Sequence, residues 1–317
     1  MSDLFFNQLG LPKPDIHLGV GSGSHAQQTA AVLVGIEKAL IDERPSVLIV
    51  YGDVNSTMAA TLAAAKLHVP VAHVEAGLRS TDRRMPEEVN RVVTDSLANL
   101  LFTPSRDGDE NLAREGVAGK VHFVGNVMID TLVRLMPQAD ADAVLRQAGM
   151  AAGEPYVLVT LHRSATVDVP AVLEHVLDAL AAIAGDYPVI FPVHPRTRAR
   201  LADKWLSTPG LHLVEPAGYL EFLALQRDAK LVITDSGGVQ EETTYLGVPC
   251  VTVRETTERP VTITSGTNEL VGLDPQRMLQ IARERLARPP ARKPVPELWD
   301  GHAADRIAAI LVAEYTR

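Results

Sequence analysis

A strand, a turn and a helix follow one another in the stretch that decides the fold. Residues 231–246 have the sequence LVITDSGGVQEETTYL. The apolar start, 231–233, is typical of a buried parallel strand, and 239–246 has the composition of a helix start. A Ser-Gly-Gly turn between them gathers free backbone N–H groups and a helix N-terminus at one point. The stretch therefore predicts an α/β unit with an anion site, of which phosphate is the usual occupant.

The same turn also has a simpler interpretation. Gly237 and Gly238 would let the backbone approach a ligand closely, but glycines also serve ordinary turns. Glu241 and Glu242 could accept hydrogen bonds from ribose hydroxyls, or could only complement the helix dipole. For this turn taken alone, both interpretations stay open.

The bulk composition limits the class of protein. The chain has 317 residues, 46% of them apolar, which is enough for two domains with a sizeable core. A net charge of −9 without a long basic run argues against nucleic acid as a partner. No apolar stretch reaches membrane-spanning length and the N-terminus has no signal-peptide pattern, so we expect no membrane partner. The single cysteine, Cys250, is expected to be a small core residue in a cytoplasmic protein.

Short apolar runs alternate with helical patterns along the whole chain. Strands are predicted at 47–51, 69–74, 100–103, 121–124, 156–160, 189–193, 211–214, 231–233 and 248–253. Helices are predicted at 57–67, 87–98, 106–114, 127–135, 170–184, 219–227, 239–246, 275–287 and 303–315. Uninterrupted apolar strands, each followed by a helix, indicate parallel sheets covered on both faces. We predict two doubly wound, Rossmann-like α/β domains, residues 1–145 and 146–317, that face each other.

Acidic residues follow the predicted strands of the first domain, where such sheets bind ligands. Asp53 could serve as an acid or base, or could cap the next helix. Glu75 lies before Ala-Gly, where capping is no easy explanation, so an active role is favoured. Glu87 opens a helix and could only complement its dipole. Arg91 lies four residues later, so the two could also form a plain intrahelical ion pair.

Histidines follow two predicted strands of the second domain. His162, next to Arg163, suits a general acid or base or a phosphate partner. His194 lies in a loop before a proline and could simply hydrogen-bond the backbone. With the acids of the first half, these residues predict one cleft lined by acids, histidines and arginines.

Six blocks of sequence, taken together, resemble a known family. The chain resembles the non-hydrolysing UDP-N-acetylglucosamine 2-epimerases nearly end to end and in the family's order. The resemblance lies in residues 73–79 (HVEAGLR), 86–91 (PEEVNR), 125–127 (GNV), 162–163 (HR), 234–242 (TDSGGVQEE) and 257–260 (TERP).

The resemblance implies a fold of the two-domain GT-B type with its site in the cleft between the domains. It implies interconversion of UDP-N-acetylglucosamine and UDP-N-acetylmannosamine by loss of UDP to a 2-acetamidoglucal and re-addition of UDP. The substrate would be a UDP-sugar, no nicotinamide or metal would be needed, and a homodimer is expected.

The resemblance also assigns roles to individual residues. The catalytic acids and bases would be Asp53, Glu75, Glu87 and His162. The resemblance does not indicate which of them removes the carbon 2 proton. Arg91 and His194 match positions near the diphosphate and sugar. The remaining matches are Ser236, Gly237 and Gly238 for the diphosphate turn, Glu242 for the ribose, Phe222 beside uracil and Arg259 for support of the nucleotide.

Two departures from the family pattern bear on these expectations. Relatives begin with a strand and a Gly-Thr-Arg-Pro-Glu loop, so the first domain is expected to be truncated at its N-terminus, which bears on folding, allosteric binding and activity. After His162-Arg163 relatives usually continue with Glu-Asn, whereas this chain has Ser164-Ala165-Thr166. That difference points to another sugar or a weakened site.

Rival functions stay open at this stage. A GT-B glycosyltransferase would share the nucleotide turn but would need an acceptor site, and it has no reason to keep the four acid/base candidates together. A non-catalytic nucleotide-sugar-binding remnant is a third possibility. Within the epimerases, a UDP-diacetamido-uronic acid is a possible alternative substrate.

Overall fold

The chain folds into two compact α/β units. The structure is a computed structural model that describes residues 10, 12–151, 153–288 and 294–316. The described residues up to Asp130, together with those from Glu297 onward, form the first unit, and the described residues between Thr131 and Pro296 form the second. Within these ranges no helix is long and apolar enough to cross a membrane.

In the described part of the first unit, four parallel strands pair in the order β1-β2-β3-β4. The strands are β1 (Leu48–Tyr51), β2 (Val71–Val74), β3 (Leu100–Thr103) and β4 (Lys120–Phe123). The helices are α1 (His25–Glu43), α2 (Asn55–Lys66), α3 (Pro86–Leu97), α4 (Arg106–Glu115) and, far along the chain, α15 (Ala303–Tyr315). Helix α5 (Val127–Leu135) begins in this unit and continues past Asp130 into the second. All residues of β2 and β3 are buried, because helices cover both faces of a parallel sheet.

In the described part of the second unit, six parallel strands pair in the order β10-β9-β8-β5-β6-β7. The strands are β5 (Val157–Thr160), β6 (Val189–Pro192), β7 (Leu211–Val214), β8 (Leu231–Thr234), β9 (Cys250–Thr252) and β10 (Asn268–Leu270). The helices are α6 (Asp142–Gln147), α7 (Ser164–Val167), α8 (Pro170–Ala184), α9 (Pro195–Arg198), α10 (Asp203–Leu206), α11 (Tyr219–Asp228), α12 (Gly237–Leu246), α13 (Val261–Thr264) and α14 (Pro275–Leu286), with a 3₁₀ turn at Met136–Gln138.

The strand order of the second unit reverses between β5 and β8. These strands are direct neighbours, with Thr160 opposite Thr234 at their carboxyl ends. Doubly wound sheets bind ligands at such a switch point. The residues that follow β5 and β8 are therefore brought together by topology.

The two parallel-sheet α/β domains predicted from the sequence are confirmed, but their boundaries differ from 1–145 and 146–317. The C-terminal segment belongs with the first unit because Ile307 of α15 packs into a buried cluster with Ala72, Val74 and Phe102. The Trp299 indole also donates to the Pro104 carbonyl at 2.9 Å. Residues just after 130 belong with the second unit, where Ala141 and Val144 join its core.

Helix α1 and strand β10 lie outside the predicted set, as do the short helices α6, α7, α9, α10 and α13 and the 3₁₀ turn. Helix α1 begins with a capping box, in which Ser24 accepts from the Gln27 N–H and the Gln27 side chain accepts from the Ser24 N–H. Residues 19–23 (GVGSG) therefore lead into a helix cap. Strand β10 is only three residues long and contains Asn268 and Glu269, so it gives no apolar run to detect. Cys250 is a fully buried residue of β9, and burial raises its pKa to about 11.

Candidate functional site

The first unit presents Asp53 on the loop after β1. Its carboxylate accepts two hydrogen bonds from Arg91 of α3, from Nε at 3.0 Å and from Nη2 at 2.9 Å. Asn90 donates to the Asp53 backbone carbonyl at 2.8 Å. Arg91 is almost completely buried, whereas about a quarter of the Asp53 side chain (26%) is exposed. Side chains of α3 therefore hold the loop, and the Asp53 carboxylate remains accessible to solvent.

Glu75 follows β2 in a backbone conformation that is unusual for a residue with a side chain. Its φ is +73°, in the left-handed region. The N–H groups of Glu75 and Ala76 both donate to the Phe102 carbonyl of β3, at 3.1 and 3.0 Å. A Cβ placed on Gly52 would lie 3.4 Å from Glu75 Oε2, so the Glu75 carboxylate packs over Gly52, next to Asp53.

Asp53 and Glu87 line the same cavity of about 360 Å³. Glu87 is exposed in the first turn of α3. The alternative of a Glu87–Arg91 ion pair is not what the structure has, because Arg91 uses its remaining nitrogen, Nη1, for Glu88 at 2.6 Å. The residues around the cavity are Val20, Gly21, His25, Gln28, Val32, Asp53, Val54, Asn55, Ser56, Pro86, Glu87 and Asn90.

A buried ionic cluster supports these loops, and sequence reasoning did not identify it. His73 Nδ1 lies 2.6 Å from Asp95 Oδ1, and Asp95 Oδ2 lies 2.7 Å from Arg79 Nη1. Burial alone would raise the pKa of Asp95, but its bonds to His73 and Arg79 outweigh burial and lower it. A possible signal was the polar His73 within an otherwise apolar strand.

The second unit places His162 beside Asp235 at the switch point. His162 Nδ1 lies 3.1 Å from Asp235 Oδ1, and the Asp235 carboxylate also accepts from the backbone N–H groups of His162 and Arg163. Burial favours a raised pKa for Asp235, but the bonds from His162 and the two N–H groups lower it overall. Asp235 is fully buried, whereas about half of the His162 side chain (53%) is exposed. Asp235 therefore orients an accessible imidazole that can exchange protons.

Ser236, Gly237 and Gly238 form the predicted strand-to-helix turn. Helix α12 begins at Gly237, and Ser236 is its N-cap in an extended conformation. Among the described contacts, the Ser236 side chain does not cap the helix. In the part of the chain that the structure describes, the backbone N–H groups in the first turn of α12 therefore donate no hydrogen bond to the Ser236 side chain. Groups in this position are the ones with which a helix N-terminus binds an anion.

Arg259 packs directly against this turn. Its Nε lies 3.1 Å from Glu241, and its Nη1 bonds to Glu258, which also accepts from Arg254 at 2.7 Å. A Cβ on Gly237 would lie only 2.5 Å from Arg259 Nη1. Position 237 is therefore glycine because the guanidinium occupies the space that a side chain would need.

Glu242 of α12 is more deeply buried than expected for a residue that contacts a ligand at the surface. It is only 4% exposed and accepts from the Tyr219 hydroxyl at 2.9 Å and from Gln226 at 2.6 Å. Burial raises its pKa, although both hydrogen bonds act in the opposite direction. Phe222, on α11, is partly buried against the core cluster on this side of the sheet.

His194 is exposed after β6, and its backbone carbonyl accepts from the N–H groups of Thr197 and Arg198. The carbonyl therefore begins α9. Both the predicted ligand contact of the His194 imidazole and its simpler interpretation as a backbone partner stay predictions.

The strand order and the turn at the switch point give the class of the chain, which is a doubly wound α/β protein with a Ser-Gly-Gly turn between β8 and α12. A family model described as UDP-N-acetylglucosamine 2-epimerase matches residues 1–312. The chain therefore belongs to the UDP-N-acetylglucosamine 2-epimerase family, and the resemblance seen in the sequence is confirmed.

Similar proteins agree with this assignment. The UDP-N-acetylglucosamine 2-epimerase of Methanocaldococcus jannaschii is 41% identical over 98% of this chain and 87% of its own length. The UDP-2,3-diacetamido-2,3-dideoxy-D-glucuronate 2-epimerase of Pseudomonas aeruginosa is 43% identical over 91% of this chain and 81% of its own. A crystal structure of the M. jannaschii enzyme with UDP-GlcNAc and UDP matches with a TM-score of 0.86 at 40% identity, over 98% of this chain and 88% of that one. The glycosyltransferase alternative is not favoured.

Proposed function

We propose that this chain interconverts UDP-N-acetylglucosamine and UDP-N-acetylmannosamine. Family membership gives the reaction type, and the observation that carries the proposal is the pair of carboxylates, Asp53 and Glu75, beside Gly52 in the first unit. A glycosyltransferase would have no use for such a pair close to a further acid, Glu87.

The proposed chemistry proceeds by elimination and re-addition. A base removes the proton on sugar carbon 2, a carbon–carbon double bond forms between carbons 1 and 2, and the bond from carbon 1 to UDP breaks. This gives 2-acetamidoglucal and UDP. UDP then adds back to carbon 1 while a proton reaches carbon 2 on the opposite face. Each proton step needs a positioned acid or base.

The first unit supplies carboxylates for these steps. Asp53 accepts hydrogen bonds from Arg91 and keeps about a quarter of its side chain exposed, which suits a base or an electrostatic partner. Glu75 is held by a strained backbone, as groups at reactive sites often are. Glu87 is exposed on the same cavity as Asp53 and can exchange protons with solvent.

The second unit supplies the groups that suit UDP. N–H groups at the start of α12 and the Ser236 hydroxyl suit the diphosphate, which is also the leaving group. His162, oriented by Asp235, suits proton transfer or a phosphate contact. Arg259 supports the turn, and His194, with Arg91 from the first unit, remains a predicted contact of the diphosphate and sugar. Glu242 and Phe222 remain predicted contacts of ribose and uracil.

One specific observation supports a second candidate sugar. The P. aeruginosa relative, which is named for a diacetamido-glucuronate substrate, is about as similar to this chain as the M. jannaschii relative. The residues after His162-Arg163 form the start of α7, where Ser164 and Ala165 are exposed. This segment is where a difference in sugar would be expected to act.

The proposal is tested by incubating the chain with each UDP-sugar in turn and following the carbon 2 epimer by proton NMR. We expect the manno epimer from UDP-N-acetylglucosamine, with a higher kcat/KM than for the diacetamido-uronic acid. A reversed preference would reassign the substrate, and UDP binding without turnover of either sugar would favour a binding role.

We also propose that the protein acts in the cytoplasm as a homodimer. A fully buried Cys250 suits a reducing compartment, and the family resemblance favours a dimer. Light scattering of the purified chain would give twice the monomer mass of 34.2 kDa, and a monomeric mass would contradict the dimer.

A further inference from the structure

His73 is a fully buried histidine that lies between two loops of the first unit. Its side chain has 0% exposure within β2. Nε2 lies 2.9 Å from the Gly52 carbonyl on the loop after β1, and Nδ1 lies 2.6 Å from Asp95 on α3. The same ring therefore bridges the Gly52-Asp53 loop and helix α3.

The partners of the ring determine its protonation. A carbonyl oxygen can only accept, so Nε2 must carry a proton. Asp95 Oδ2 accepts from the Gly77 N–H at 3.1 Å and pairs with Arg79 at 2.7 Å, contacts that an ionised carboxylate makes. His73 Nδ1 faces that carboxylate at 2.6 Å, so both ring nitrogens have a buried partner.

Asp95, which holds the His73 ring, is itself held by a buried arginine. Arg79 pairs with Asp95 at 2.7 Å and, through Nε and Nη2, with Glu115 at 2.8 and 2.7 Å. The carboxylate that faces His73 Nδ1 is therefore fixed in place.

Gly52 is the support that both reactive carboxylates share. It has φ of +63° and comes directly before Asp53. The Glu75 carboxylate packs over its Cα, at 3.4 Å from the position of a Cβ. Glu75 also lies two residues after His73 in the chain. A shift of the Gly52 peptide would therefore move Asp53 and the surface on which Glu75 rests.

We propose that His73 is a positioning residue, held between Asp95 and the Gly52 carbonyl, that fixes the Asp53 and Glu75 carboxylates for proton transfer at the sugar. The role rests on the proposed epimerase function. The hydrogen bond to Gly52 fixes the position of the loop after β1, and the bond to Asp95 holds the imidazole ring in place.

Two conservative substitutions separate the two bonds. In His73→Gln the amide nitrogen takes the place of Nε2 and can still donate to Gly52, whereas in His73→Asn it takes the place of Nδ1 and can donate only to Asp95. We expect kcat for His73→Asn to fall about 100-fold, as a displacement of roughly 1 Å in a reactive group can cause. His73→Gln should lose much less, and KM and UDP affinity should change little in both. Equal losses, or full kcat in His73→Asn, would overturn the positioning role.

Nitrogen-15 NMR of the wild-type imidazoles tests the bond to Gly52 without any need for turnover. One of the ten histidines, assigned by its absence from His73→Gln, should carry a proton on Nε2, the nitrogen that faces the Gly52 carbonyl. A ring with an unprotonated Nε2 would refute that bond, even if the variants failed to fold. Wild-type protein that epimerises neither sugar would instead count against the proposed function.

Discussion

Glu75 shows how a single residue can be kept in an unfavourable conformation for its chemistry. A side chain at φ of +73° costs about 1–2 kcal/mol relative to the right-handed region. The two hydrogen bonds that Phe102 accepts from Glu75 and Ala76 hold the backbone there. Because glycine would fit this backbone better, the presence of glutamate indicates that its carboxylate is used.

Substitution of Glu75 should therefore separate stability from activity. Glu75→Gly removes the strain, whereas Glu75→Ala keeps it, so the glycine variant should be the more stable of the two by about 1 kcal/mol after its greater unfolded-state entropy is included. Urea unfolding gives this difference. Equal or reversed stabilities would contradict the strain.

Turnover should be lost in all variants that remove the Glu75 carboxylate. Glu75→Gln, which keeps the size of the side chain, should abolish epimerisation while UDP affinity stays near the wild-type value. Steady-state kinetics and calorimetric titration with UDP measure the two. A large loss of affinity would assign Glu75 to binding.

Glu242 allows a test of pH dependence at a single buried carboxyl group. Burial raises its pKa above the ordinary 4.5, so its contribution to stability is complete below 4.5 and is lost as pH rises through the raised value. Glu242→Gln cannot ionise and lacks this loss. The unfolding free energy of the variant relative to wild type should therefore increase from acidic to neutral pH. A constant difference across that range would show that the pKa is not raised.

At the scale of elements, helix α12 begins and ends with glycines that have different tasks. Gly237 at its start leaves room for the Arg259 guanidinium, which Glu241 and Glu258 hold in place. Gly247 follows its end with φ of +73°, and the space around a Cβ there is open. One glycine therefore serves the turn, and the other serves only to end the helix.

Alanine at these two positions should give opposite results. Gly237→Ala forces Arg259 or the turn to move, so UDP affinity should fall at least about tenfold, equal to ~1.4 kcal/mol. Gly247→Ala should cost about 1 kcal/mol of stability through its left-handed backbone, with UDP affinity unchanged. Calorimetric titration and urea unfolding measure both. If Gly237→Ala binds UDP as wild type does, the turn is not the diphosphate site.

At the scale of the whole molecule, helix α15 near the C-terminus belongs to the first unit, together with the first described residues. Ile307 of α15 is 6% exposed and packs on the first sheet, whereas Val312 on the same helix is 63% exposed. Ile307→Ala should lower the unfolding free energy by about 2–4 kcal/mol, and Val312→Ala should change it by less than about 0.5 kcal/mol. Equal effects would contradict the packing of α15.

Local patterns predicted the strands, most helices and the α/β class because period and composition carry that information. They assigned α15 to the wrong unit because the packing of a helix on a distant sheet leaves no local signal. Likewise, the acids after each strand were visible in the sequence. The partners that support them, such as Asp95 for His73 and Asp235 for His162, depend on strand order and helix docking.

The most direct test of the proposed reaction is proton NMR of the purified chain with UDP-N-acetylglucosamine in deuterium oxide. The account predicts UDP-N-acetylmannosamine that carries deuterium at sugar carbon 2, because the proton removed by the base exchanges with solvent before a proton returns. Epimer without deuterium at carbon 2 would contradict proton removal at that carbon with return of a solvent-exchanged proton. The absence of any epimer would contradict the proposed function itself.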